Sequence, residues 1–253
     1  DTHVHHSAAM NAKHLLRFIK KKCKYNYDEV VTVEKDGTEL RLRDVFARLS
    51  IEPYDLSIDK LAVMADGAST FQRFDKFNLK YNPCGDSLLR TVFLKTDNLC
   101  GGRYLAEITK QVFADAEENK YQLLEPRVSV YGRRRTEWAK LSRWFAVHKL
   151  ASPVVRWLIQ IPRLYAIYKR LGMVANFQDM LDNIFLPLFE VSLDPSSHPD
   201  LNAFLGQVVG FDCVDDESKN ENRCTSGYDD FGRTCSATSS SSSSRGGSSS
   251  SNF

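Results

Sequence analysis

What this chain of 253 residues lacks bounds it first. No apolar run approaches the ~20 residues needed to cross a bilayer. The longest candidate, around Ile184 to Leu193, is broken by Pro187 and Glu190. A soluble chain without a membrane segment is expected. Neither sign of charge is in excess: 34 Lys and Arg against 32 Asp and Glu leave +2. Interspersed charges give no electrostatic footprint for nucleic acid or an anionic membrane, so neither is expected as a partner. The short basic runs at Lys20 to Lys24 and Arg133 to Arg135 read as a solvated helix end and a loop. There is no C-x-x-C and no tight cysteine framework. Cys23, Cys84, Cys100, Cys213, Cys224 and Cys235 are scattered, which predicts a reduced, cytosolic setting. Their spacing also argues against a zinc site of the H-x-E followed by P-C-x-x-C kind. The first residue is Asp1 rather than Met, which predicts a sequence starting inside a longer protein, with any targeting or anchoring segment upstream.

What is present starts with His3 and His5. Residues two apart in an extended strand point to one face, so two imidazoles can approach one divalent ion from one side. Zinc takes at least three protein ligands, so this pair is half a site. By itself an H-x-H pair reads more often as a surface or hydrogen-bonded pair than as a metal site. His6 alternates to the opposite face and reads as structural.

The organisation is that of an α/β chain. Asp1 to His5 reads as the last residues of a strand. Asn11 to Lys22 reads as a helix with Leu15, Leu16, Phe18 and Ile19 on its apolar face. Val30 to Val33 and Glu39 to Leu42 flank Lys35-Asp36-Gly37, a hairpin signal. Residues 43 to 120 read as helices and loops, with a polar aromatic stretch at Phe71 to Pro83. Arg127 to Tyr131, Val155 to Ile161 and Val208 to Cys213 read as buried strands. Thr136 to Leu150, Arg163 to Leu171 and Asn176 to Leu186 read as helices between and beside them. Alternating strand and helix predicts a parallel sheet with helices outside. Polar residues just past the strand ends fit a (β/α)8 barrel with its active face at the C-terminal side. Only four of eight strands are found in the whole chain. From Ser236 the sequence is almost entirely Ser and Gly, too polar to pack, and a disordered tail is expected.

Seven runs resemble the AMP deaminase family of metal-dependent amidohydrolases, in its plant or algal form. They are DTHVHHSA (Asp1 to Ala8), KHLLRFIK (Lys13 to Lys20), RFDKFNLKYNPCG (Arg73 to Gly85), SVYGR (Ser129 to Arg133), WLIQIPRLY (Trp157 to Tyr165), NIFLPLFE (Asn183 to Glu190) and VVGFDCVDDES (Val208 to Ser218). The resemblance implies a TIM barrel that hydrolyses AMP to IMP and ammonia with one zinc ion, in purine nucleotide metabolism. It makes His3 and His5 two of four zinc ligands, with His5 also at the substrate. It makes Lys76, Phe77, Asn78, Leu79, Lys80 and Tyr81 the nucleotide-binding segment. Two ammonium groups four residues apart, with a phenol beside them, suit a phosphate, and Phe77 suits the purine or ribose. Without the resemblance the same stretch reads as a solvated loop. The cluster separates a nucleotide deaminase from an adenosine-type enzyme on the same barrel.

The resemblance also implies a third zinc His after the fifth strand, an Asp ligand after the eighth, and a Glu and a His as acid and base. None of these is matched here, because the likeness stops near Asn222. His148 and His198 match no ligand position, and Ala9 and Ala12 stand where the family usually has Cys and Gln. Residues 1 to 222 are therefore read as the N-terminal half of a catalytic barrel, and 223 to 253 as a divergent low-complexity tail. No catalytic residue is assigned in the chain, and the chain alone is expected to be inactive. Two accounts stay open. In one, the tail is an artefact of the gene record, and H-x-G-E and S-T-D-D-P segments lie downstream. In the other, the half-barrel is a non-catalytic partner of a homo-oligomeric enzyme. Asp215, Asp216 and Glu217 read either as a rim touching substrate or as carboxylates capping the next helix. Gln160 and Arg163 read either as pocket residues or as the start of a helix after Pro162.

Overall fold

A computed structural model describes residues 4–34, 36–61 and 82–214. The chain divides into two units, Asp1–Asp216 and Glu217–Phe253. The second, with the expected Ser-rich tail, lies outside the described residues.

Strand β1 (Val4–His5) passes through a 3-10 turn at His6–Ala8 into helix α1 (Ala12–Tyr25). Asn11 starts that helix: its side-chain oxygen accepts the His14 N–H at 2.8 Å, satisfying a donor the first turn leaves open. Leu15, Phe18, Ile19, Lys22 and Cys23 are its buried face, at three- and four-residue spacing. Strands β2 (Val30–Val33) and β3 (Glu39–Arg41) form the expected antiparallel hairpin. Its turn is closed by Glu34 N–H to Thr38 O at 2.9 Å, and Gly37 takes a φ of +88°, which a residue with a Cβ adopts only under strain.

Helices α2 (Leu42–Arg48), α3 (Ile58–Leu61), α4 (Ser87–Leu94) and α5 (Arg103–Glu118) follow. Then come β4 (Pro126–Ser129), α6 (Glu137–His148), β5 (Trp157–Pro162), α7 (Tyr165–Arg170), α8 (Phe177–Leu193), α9 (Pro199–Leu205) and β6 (Val208–Val214). One helix differs from expectation. Helix α8 does not stop at Leu186 but runs through Pro187 to Leu193. The proline removes one helical hydrogen bond, and burial of Met180, Ile184, Pro187 and Val191 along one face outweighs it. His198 directly precedes Pro199, the first residue of α9, and lies 3.2 Å from Glu190 through Nε2.

Four strands form one parallel sheet in the order β1-β4-β5-β6. Spatial order equals chain order, with helices in every connection. A doubly wound sheet reverses direction at a switch point; this one does not. Winding in one sense is how a (β/α)8 barrel grows, so the α/β sheet is compatible with part of such a barrel. The two faces of β5 differ. Trp157 and Ile159 are buried under helices, with Trp157 within 4.9–6.5 Å of the rings of His6, Phe113, Phe145, Phe204 and Trp144. Leu158 and Gln160 alternate to the inner face.

Candidate active site

Register fixes what shares the inner face. His5 pairs with Arg127, Arg127 with Leu158, and Leu158 with Gly210. One step toward the C-terminal ends, Ser129, Gln160 and Asp212 stand in a second row. In-register residues of parallel strands point the same way, so these two rows make one polar floor beside His5. A side-chain contact bears this out: Arg127 Nε donates to Asp212 Oδ2 at 2.6 Å, reaching from β4 over β5 to β6. Gly210 leaves the space in its row to Leu158, whose Cδ2 would lie 3.3 Å from a Cβ built there.

His5 and His6 separate at the end of β1. His5 is half-buried at the strand end, with extended backbone. His6 is buried on the other side, its ring 5.5 Å from Trp144 and 4.9 Å from Trp157. Its Nε2 lies 2.8 Å from Thr109 Oγ1. Burial pushes its pKa down to about 4, so the ring is neutral near pH 7. The structural reading of His6 holds.

His3, the segment from Lys76 through Phe77, Asn78, Leu79 and Lys80 to Tyr81, and Asp215, Asp216 and Glu217 lie outside the described residues. Gln160 is within β5 rather than at a helix start, and its side chain is buried on the inner face. Helix α7 begins at Tyr165, so Arg163 precedes it in an exposed turn. The remaining described histidines serve packing: His14 meets Gln111 at 2.8 Å, His148 meets the Gly101 carbonyl at 3.0 Å, and His198 meets Glu190.

Zinc is the metal the resemblance implies, and among the described residues no three His, Cys, Asp or Glu side chains gather to hold an ion. The inner face brings His5 and one carboxylate, Asp212, and that carboxylate is engaged by Arg127. The described donor set therefore does not close a tetrahedral site. What it offers is a binding floor with an imidazole, an amide, a hydroxyl and an ion pair.

Reading the strands only as buried runs missed Arg127, Ser129 and Asp212 as floor residues. Period-two alternation was their signal: polar 127 and 129 interleave with Val128 and Val130, and Asp212 lies between Phe211 and Cys213.

A family model described as AMP deaminase matches residues 1–233. The chain is 62% identical to the AMP deaminase of Arabidopsis thaliana over 225 residues, covering 89% of this chain and 27% of that protein. It is 60% identical to the probable AMP deaminase of Oryza sativa subsp. japonica over 225 residues, with the same coverage. It is 57% identical to the AMP deaminase of Dictyostelium discoideum over 228 residues, covering 90% of this chain and 28% of that protein. The chain thus spans about a quarter of the length of the curated relatives it matches. A match over nearly its whole length, falling on a parallel sheet that carries His5 on its inner face, leaves one assignment: the chain belongs to the AMP deaminase family.

Proposed function

We propose that this chain forms the first half of the catalytic barrel of an AMP deaminase, which hydrolyses AMP to IMP and ammonia in cytosolic purine nucleotide metabolism. The observation that carries this reading is the 62% identity to the Arabidopsis thaliana enzyme across 89% of the chain. In this proposal His3 and His5 are two of the four ligands of one zinc ion. Lys76 and Lys80, with Tyr81, hold the 5′-phosphate, and Phe77, Asn78 and Leu79 complete the nucleotide segment. Two zinc ligands and the acid–base pair have no match in the chain, so the isolated chain is proposed to lack turnover. The complete enzyme is proposed to be a homo-oligomer.

A chimera tests the reading. The matching stretch of the Arabidopsis thaliana enzyme is replaced by residues 1–222 of this chain, and IMP formation from AMP is measured. Deamination of AMP in preference to adenosine is expected. A folded chimera without AMP deamination would overturn the proposal.

A second reading, a non-catalytic partner of an enzyme subunit, is favoured by the outer face of β6. Phe211 is 47% exposed there, against 0% for its register neighbour Ile159 on β5. Co-purification of the 253-residue chain with a full-length subunit would support it. Recovery only in insoluble material would count against it.

A further inference from the structure

We propose that Arg127 is a positioning residue for the deamination reaction, acting through Asp212. The inference rests on the functional reading above and adds to it a role for an ion pair on the barrel floor.

Arg127 is the register neighbour of His5. Its guanidinium crosses the inner face of β5 diagonally, from the row of His5 to the row of Ser129, Gln160 and Asp212. Strands two apart are about 9–10 Å apart in a sheet, so the 2.6 Å bond to Asp212 requires the arginine to lie extended along the floor. Gly210 belongs to Arg127's own row, so β6 places no side chain in that row. The pair is well covered, with the Arg127 and Asp212 side chains 12% and 28% exposed.

Two considerations make this more than a packing contact. Barrel interiors are ordinarily filled by layers of branched apolar side chains. A buried ion pair seldom stabilises a fold better than apolar residues of the same volume, so stability gives no reason for this one. Asp212 also stands near the C-terminal end of β6, the side where barrel enzymes hold their reacting groups. Without the arginine, the carboxylate there would move among rotamers. Arg127 cancels its charge and holds one oxygen by a directed N–H bond.

The test uses the chimeric enzyme in four forms: R127M, R127K, D212N and the double variant R127M/D212N. R127M is expected to lower kcat by about 10²-fold, the scale of a small misplacement at a reacting centre, with KM within about threefold. R127K, which keeps the charge and loses the planar fork, is expected to recover part of that loss. The double variant removes the carboxylate charge that Arg127 no longer balances and is expected to recover thermal stability but not kcat. Recovery of both together would show a purely structural pair and overturn the inference. So would a kcat within about twofold of the parent in R127M, or in the isosteric D212N should R127M fail to fold. An unsubstituted chimera without activity would overturn the functional reading itself, an outcome distinct from these.

Discussion

The Thr109 hydroxyl lies 2.8 Å from His6 Nε2 and 2.7 Å from the Leu105 carbonyl. A hydroxyl carries one proton, and here the Leu105 carbonyl takes it. The oxygen must then accept from His6 Nε2–H, which selects the neutral tautomer of that ring. The contact ties the end of β1 to α5. With His6 held outward among Trp144 and Trp157, alternation turns His5 inward.

Replacing Thr109 by Val keeps the shape and leaves the His6 N–H buried without a partner. A loss of about 1–3 kcal/mol in urea unfolding is expected, with Thr109→Ser close to the parent. Equal stability of the Val and Ser variants would discard the hydrogen bond as a determinant.

Gly102 is a second sensitive point. It has a φ of +68°, and a Cβ there would stand 2.5 Å from Trp144 Nε1 and 2.7 Å from the Thr96 carbonyl. The same indole donates to the Gly102 carbonyl at 3.1 Å. Gly102→Ala is expected to cost more than the ~1 kcal/mol of the left-handed backbone alone, because Trp144 must also move. A melting temperature within a degree of the parent's would contradict this.

Acid should loosen the junction between the hairpin and α5. Glu29 accepts from Tyr104 Oη at 2.9 Å and is paired with Arg103. Burial pushes its carboxyl up, but the hydrogen bonds from Arg103 and Tyr104 and the charges of Arg103 and Lys22 more than reverse this. It settles below its ordinary 4.5. A carboxyl lowered in the folded state lends stability that is complete above the unfolded value and is lost as pH falls through the folded one. Glu29→Gln is therefore expected to be less stable than the parent at pH 7, with the difference shrinking as pH falls below the ordinary carboxyl value of 4.5. Parallel stability curves from pH 7 to pH 3 would refute the assignment.

Zinc titrated into the isolated 253-residue chain should bind weakly, because two imidazoles do not complete a tetrahedral shell. Calorimetry is expected to show a shallow isotherm that His5→Ala removes, and the same preparation should not deaminate AMP. An isotherm unchanged by His5→Ala would eliminate His5 as a ligand.

Local chemistry along the chain accounts for several elements of the fold. The apolar stripe within Asn11 to Lys22 predicts α1, and Asp36-Gly37 between two short runs predicts the hairpin. The alternation of strand and helix predicts the parallel sheet. Helix α8 continues past Pro187, a local stop signal, because the burial of Val191 beyond it is a tertiary gain. The 3-10 turn at His6–Ala8, where His6 is buried, was likewise settled by packing.

By itself the sequence determined the family, the strand count and the H-x-H pair, because each depends on residue identity and spacing along the chain. Only the tertiary structure decided that Arg127 reaches Asp212, 85 positions away, and that His6 lies against Thr109, 103 positions away. Which side chains share a floor depends on the register between strands. Register is set by packing of the outer face under the helices, a relation between distant segments that neighbouring residues do not encode.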